Sequence, residues 1–130
     1  MGKTDGGLWV HNACIALDNN ALVALLEGSA EDRAAVLAVM RGRTPVISIT
    51  TAKEFLAYPG RTAKMLRDFL GSTGGRIGAP GDASVVAQLL ARGVKPNDAR
   101  SAASAIREGT KLITRDSKFR NKIPKTGLGF

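Results

Sequence analysis

At 130 residues, 44% hydrophobic and 23% charged, the chain has the size and mix of one globular domain that can bury a core. Nineteen Lys and Arg against 11 Asp and Glu leave a formal charge of +8, which favours a polyanionic partner such as nucleic acid or anionic lipid. One cysteine, Cys14, and one histidine, His11, exclude an internal disulfide, a multi-cysteine zinc site and two-histidine acid–base catalysis, so chemistry must rest on carboxylates, hydroxyls or amines.

Residues 1–12 are rich in Gly and polar apart from Leu8, Trp9 and Val10, and read as a flexible leader before a domain at 13–130. They lack the apolar run of a signal peptide, and no stretch approaches the roughly 20 apolar residues of a membrane span. Cys14-Ile15-Ala16-Leu17 is a short apolar run ending at Asp18, the pattern of a buried strand, with Cys14 expected as a buried, inert thiol. Asn19-Asn20 opens a helix through Leu26, closed by Gly28, and Ser29 with Asp32 caps another that reaches towards Gly42. Val46–Ile49 is the second strand, with Pro45 at its start. Thr51-x-x-Glu54 has capping-box form and places Glu54 in the first turn of a helix broken at Tyr58-Pro59-Gly60.

A helix over Thr62–Leu70 follows, then a flexible loop at 71–75 and a very short strand at Arg76-Ile77-Gly78. That loop is phosphate-loop-like only in composition, since no Gly-Lys-Ser/Thr follows at the Walker spacing. Asp82 caps a helix ended by Gly93, and Pro96-Asn97-Asp98 opens an Ala-rich helix stopped by Gly109. Lys111–Thr114 is a strand leading to Asp116. Strands alternating with helices specify an α/β domain, three-layered with a mainly parallel sheet.

In such a sheet the carboxyl ends of the strands share one edge, so Asp18, Glu54 and Asp116 face one crevice. Asp98 is harder to place, because it opens a helix that runs into a strand. Converging carboxylates repel one another unless a cation neutralises them, and hard oxygen donors suit Mg²⁺ or Mn²⁺. Such a centre supports phosphodiester hydrolysis without histidine or cysteine. Separately, each acid has an ordinary structural job as a turn residue, a cap or a first-turn dipole partner.

The sequences Ala16-Leu17-Asp18-Asn19-Asn20-Ala21-Leu22, Thr50-Thr51-Ala52-Lys53-Glu54-Phe55, Asn97-Asp98 and Leu112-Ile113-Thr114-Arg115-Asp116 with Phe119, taken in order, resemble the PIN-domain family of metal-dependent nucleases. The resemblance spans residues 13 to about 121. It implies a PIN-like α/β/α fold, puts catalytic and metal-binding roles on Asp18, Glu54, Asp98 and Asp116, and brings the Asp98 helix to the metal edge. Asn19, Thr51 and Thr114 then look like groups that orient the acids. Asn20 departs from the hydroxyl residue many relatives carry.

The segment Lys95–Gly109 further resembles PIN modules at the C-terminus of secreted polymorphic toxins of the Rhs or contact-dependent inhibition kind, with VapC-type toxin–antitoxin chains as near relatives. The dozen residues before the first strand favour the former. The resemblance implies a toxin acting in the bacterial cytoplasm, delivered from a secreted parent, on an RNA such as tRNA, with DNA not excluded. Its partner is then an acidic immunity protein or an antitoxin.

Lys111, Arg115, Lys118, Arg120, Lys122 and Lys125 form a basic run around Asp116, either a solvated face or a grip on substrate phosphates. Lys53, Arg61, Arg115 and Lys118 are the candidate substrate contacts. The rival reading is a catalytically silent α/β module that binds nucleic acid or a protein partner through this face. A phosphoacceptor receiver domain lacks its early acidic pair and late lysine here.

Overall fold

The computed structural model describes residues 13–130; the leader reading, with Trp9 and His11, lies outside the described residues. Twelve elements follow in order: β1 (Cys14–Leu17), α1 (Asn19–Glu27), α2 (Ala30–Met40), β2 (Thr44–Ile47), α3 (Ile49–Leu56), α4 (Ala63–Thr73), β3 (Arg76–Ile77), α5 (Ala83–Ala91), α6 (Pro96–Arg107), β4 (Leu112–Ile113), α7 (Ser117–Lys122) and β5 (Gly127–Leu128). The five strands form one sheet in the order β3-β2-β1-β4-β5, and every pairing is parallel.

Alternation along the strands divides the core between two faces. Ala16, Val46 and Leu112 point to one side, where Leu89 of α5, Ala99, Ala102, Ala103 and Ala105 of α6, and Phe119 of α7 cover them. Ile15, Leu17, Ile47 and Ile113 point to the other, against Ala21, Leu22 and Ala24 of α1, Val36 and Met40 of α2, Phe55 of α3 and Leu66 of α4. The result is a three-layer α/β/α sandwich. The small residues of α6 let its backbone lie close to its neighbours, and a β-carbon added at Gly81 would collide with Ala103.

Local boundaries differ from the sequence expectation where hydroxyl caps compete with apolar runs. Strand β2 ends at Ile47 rather than Ile49, because the Ser48 side chain accepts the Thr51 N–H and starts α3 one turn early. Glu54 therefore lies in the second turn of α3, and Thr51 does not cap it. Pro45 sits inside β2, opposite Ile15. Thr44 donates to Ala13 on the β1 side, so the N–H that Pro45 lacks would face β3, whose pairing begins only at Val46.

Helix α4 runs on through Thr73, where a flexible loop was expected. The Ser72 and Thr73 hydroxyls donate to the Phe69 carbonyl, and left-handed Gly74 (φ +70°) closes the helix. Asp82 precedes α5 without a side-chain cap bond; its carboxylate instead accepts from Arg107 at 2.7 Å. Cys14 is half-buried, not enclosed. Helix α7 and strand β5 had no sequence expectation.

Topology resolves the position of Asp98. A helix feeding a parallel strand runs antiparallel to it, so α6, which feeds β4, starts at the carboxyl edge. Helix α5 makes the ascent, and the Asp82–Arg107 pair fastens its start beside the end of α6. A second staple closes the same region: Glu108 accepts from Arg76 at 2.5 and 3.1 Å and from the Ala79 N–H at 2.7 Å.

Candidate active site at the carboxyl edge of the sheet

Four elements deliver the four acids. Asp18 follows β1 and caps α1, Glu54 projects from α3, Asp98 lies in the first turn of α6, and Asp116 follows β4 and caps α7. All four line one cavity of about 470 Å³, together with Asn19, Asn20, Tyr58, Arg61 and Arg115.

Asp18 is the fixed member, 5% exposed. Its Oδ1 accepts the Asn19 N–H at 2.9 Å and its Oδ2 accepts the Thr114 hydroxyl at 2.8 Å. Thr114, fully buried, in turn accepts from Asn20 Nδ2 at 3.1 Å and from the Asp116 N–H at 3.3 Å. One hydroxyl thus ties the ends of β1 and β4 together. Asn20 completes the tie, since its Oδ1 accepts the Arg115 N–H at 3.0 Å. The cross-link between the strand ends is thus made by Asn20, the position that departs from the family pattern, while Asn19 holds Asp18 through its backbone N–H and its own Oδ1 is buried at the cavity wall with no hydrogen-bond partner among the described residues.

The electrostatics follow from this crowding. Burial is the main cause that holds the Asp18 carboxyl above the usual carboxylate range, with the charge of Asp116 adding to it and the Thr114 and Asn19 bonds opposing. Burial also raises Glu54, helped by the charges of Asp18 and Asp98 and opposed by the neighbouring Asn97 side chain. Asp98 is raised by burial, then by Asp18 and Asp116, against the pull of Lys95 and Lys122. Three mutually repelling carboxyls beside a fourth are a costly arrangement for the bare chain, and an all-oxygen anionic donor set of this kind fits a hard divalent cation. As the side chains stand, no three of them are close enough among the described residues to ligate one ion. Asp116 uses Oδ1 to cap Phe119, so its second oxygen is available to the cavity.

The other sequence candidates are distributed unevenly. Arg61 and Arg115 both line the cavity. Arg115 is held by Asp32 at 3.0 Å and stacks over Phe130, 4.6 Å from the ring centroid. Lys118 lines a smaller adjoining pocket with Lys95 and Lys122, and that pocket shares Asp98 and Asp116 with the main cavity. Lys53 is exposed on α3 and lines neither. Thr51 is fully buried away from the cavity, where its hydroxyl bonds Ser48 and Ser101 and ties α3 to α6.

The basic run around Asp116 is partly structural. Arg120 donates to the Thr114 carbonyl at 2.8 Å, Lys111 to that of Lys125 at 3.0 Å and Lys122 to that of Gly93 at 2.9 Å. Tyr58 and Asp32 also line the cavity, and Glu27 holds Arg61 from behind it; none of the three is a candidate in the sequence. Nothing local marks Glu27 as the partner of Arg61, 34 residues away.

Residues 15–123 match the family model described as PIN domain. Among solved structures, the fold is similar to that of VapBC2 from Rickettsia felis bound to a DNA fragment from their promoter, with 20% identity, a TM-score of 0.66, and coverage of 89% of this chain and 98% of that one. It is also similar to FitAcB from Neisseria gonorrhoeae, with 19% identity, a TM-score of 0.64, and coverage of 88% and 96%. A comparison with curated proteins finds no match.

Proposed function

The chain belongs to the PIN-domain family, whose members are generally metal-dependent nucleases, and from that premise we propose that it is a bacterial toxin that cleaves RNA endonucleolytically at the Asp18–Glu54–Asp98–Asp116 cavity. The observation that carries this reading is the meeting of four carboxylates from four separate elements in one cavity, with three of them raised above their ordinary range. Structural caps would not need to converge.

Mg²⁺ or Mn²⁺ held by these acids would supply Lewis-acid activation of water and of the phosphate. The protein's own contribution is positional. Thr114 and Asn20 fix Asp18 against the end of β4, and Arg115 and Lys118 offer positive charge on two sides of the acids. tRNA is the proposed RNA, by resemblance to toxin modules.

The proposed inhibitor is an acidic immunity protein or an antitoxin. Similarity in fold to VapBC2 supports the antitoxin setting, and the likeness of residues 95–109 to secreted toxin modules supports delivery from a larger parent into a target cytoplasm. Gel analysis of total bacterial RNA incubated with the protein tests the reading. Discrete fragments with Mn²⁺ and none with EDTA support it; RNA binding without cleavage favours the silent-module alternative.

A further inference from the structure

Tyr58 stands apart from the other aromatic side chains. It is 60% exposed, whereas Phe55, Phe69, Phe119 and Phe130 are buried or half-buried, so among the described residues it is the one exposed aromatic ring. It follows Glu54 at the exit of α3, and both residues line the cavity that holds the four acids. The ring is also held in place. Arg61 sits over one of its faces, with the guanidinium carbon 4.5 Å from the ring centroid. That guanidinium is fixed in turn, since it donates to both carboxylate oxygens of Glu27 at 2.9 and 3.0 Å and lies 4.9 Å from the Phe55 centroid. With one face covered, an exposure of 60% requires the opposite face to be open. An aromatic ring held rigidly in the wall of an acid-lined cavity, with one face free, is preorganised for a flat ligand.

We propose that the open face of Tyr58 is a base subsite, on which one unpaired nucleobase next to the cleaved phosphodiester stacks, with Arg61 and Glu27 as its positioning residues. The proposal rests on the nuclease reading of the same cavity. Because the ring and the acids belong to one cavity of about 470 Å³, a strand whose phosphate reaches the acids brings a flanking base to the ring. A base is favoured over a side chain of an acidic protein inhibitor. The four carboxylates that share the cavity repel such a partner, whereas a neutral, flat base meets no such penalty. Stacking needs a free base face, which a base inside a duplex does not offer, so the ring selects unpaired segments of RNA over helical ones.

The test uses the full chain carrying Asp116→Asn, with Mn²⁺, and follows the anisotropy of two fluorescent strands of equal length, an oligoadenylate and its abasic counterpart, across a KCl series. Adding Tyr58→Leu is expected to weaken oligoadenylate binding about tenfold, the order of one base stacked on an aromatic ring. It should leave abasic binding and the log–log salt slope unchanged, because no phosphate contact is lost. Tyr58→Phe keeps the ring and is expected to keep the affinity. Should the Leu variant melt early, the Tyr58 protein itself carries the comparison, binding oligoadenylate about tenfold more tightly than the abasic strand. Equal binding of the two strands by the Tyr58 protein, equal losses on both strands in Tyr58→Leu, or a shallower salt slope would each overturn the subsite, the last two by assigning the ring to holding Arg61. Undiminished oligoadenylate binding in Tyr58→Leu would overturn it as well and leave the ring to a protein partner. Cleavage of total bacterial RNA by the parent chain with Mn²⁺ is measured alongside. Its absence sinks the nuclease reading, whereas parental cleavage combined with any of the overturning results sinks the base subsite alone.

Discussion

Thr114 shows how much one buried hydroxyl can organise. It donates to Asp18 and accepts from Asn20 and the Asp116 N–H, so Thr114→Val leaves three polar groups short of a partner inside the site. We expect a loss of about 10–100-fold in cleavage rate, the usual cost of removing a group that orients a metal-binding acid. Thermal melting should show about 1–3 kcal/mol of lost stability. Glu54→Gln should act in the opposite sense on stability. It removes a charge opposed by Asp18 and Asp98 near the carboxyl end of α3, where the helix dipole also disfavours an anion. Without divalent ions at pH 7 the variant is expected to melt higher, by roughly 0.5–1 kcal/mol, while cleaving far more slowly. A lower melting temperature would show that the Glu54 charge supports the fold.

At the level of elements, much of the frame can be read directly from the residues. Cys14–Leu17 with Asp18 behind it, the Ser29 cap and the Pro96 start of α6 coincide with the structure, because local chemistry decides each. The misplacements also have local causes. Ser48 outcompetes the β-rich run that contains it, and Gly71 does not interrupt α4 because Ser72, Thr73 and Gly74 satisfy and close the helix end. What stayed illegible was tertiary: the clamp on Arg61, the Asn20 cross-link and the burial of Thr51 against Ser101 join residues 34, 94 and 95, and 50 positions apart. At Gly81 the chain passes directly against Ala103 of α6. Gly81→Ala drives a methyl into Ala103, and we expect about 1–3 kcal/mol of destabilisation by chemical denaturation.

Across the whole molecule, charge is divided rather than averaged. Setting the four site acids aside leaves seven acids against 19 bases, a formal +12 surrounding an acidic pit. Such a field should draw in RNA quickly and bind an acidic inhibitor tightly, both more weakly as salt rises. Two opposed proton linkages follow. Asp18, Glu54 and Asp98 have raised folded-state pKa values, so their contribution favours the metal-free fold below the unfolded carboxylate range and is lost as pH rises through the raised values. Glu108 is held down at about 2, chiefly by Arg76, so its contribution is present above about pH 4.5 and is lost as pH falls towards 2. Melting of the metal-free chain against pH should therefore decline on both sides of a weakly acidic maximum. Glu108→Gln should flatten the acid limb alone, and Mn²⁺ should lift the neutral limb.

The most direct measurement is cleavage of total bacterial RNA by the parent chain and by Asp116→Asn, each with Mn²⁺ and with EDTA, with circular dichroism confirming that both are folded. The four-carboxylate site predicts discrete fragments from the parent with Mn²⁺ only, and none from the variant. Equal cleavage by a folded Asp116→Asn protein, or undiminished cleavage in EDTA, would contradict it.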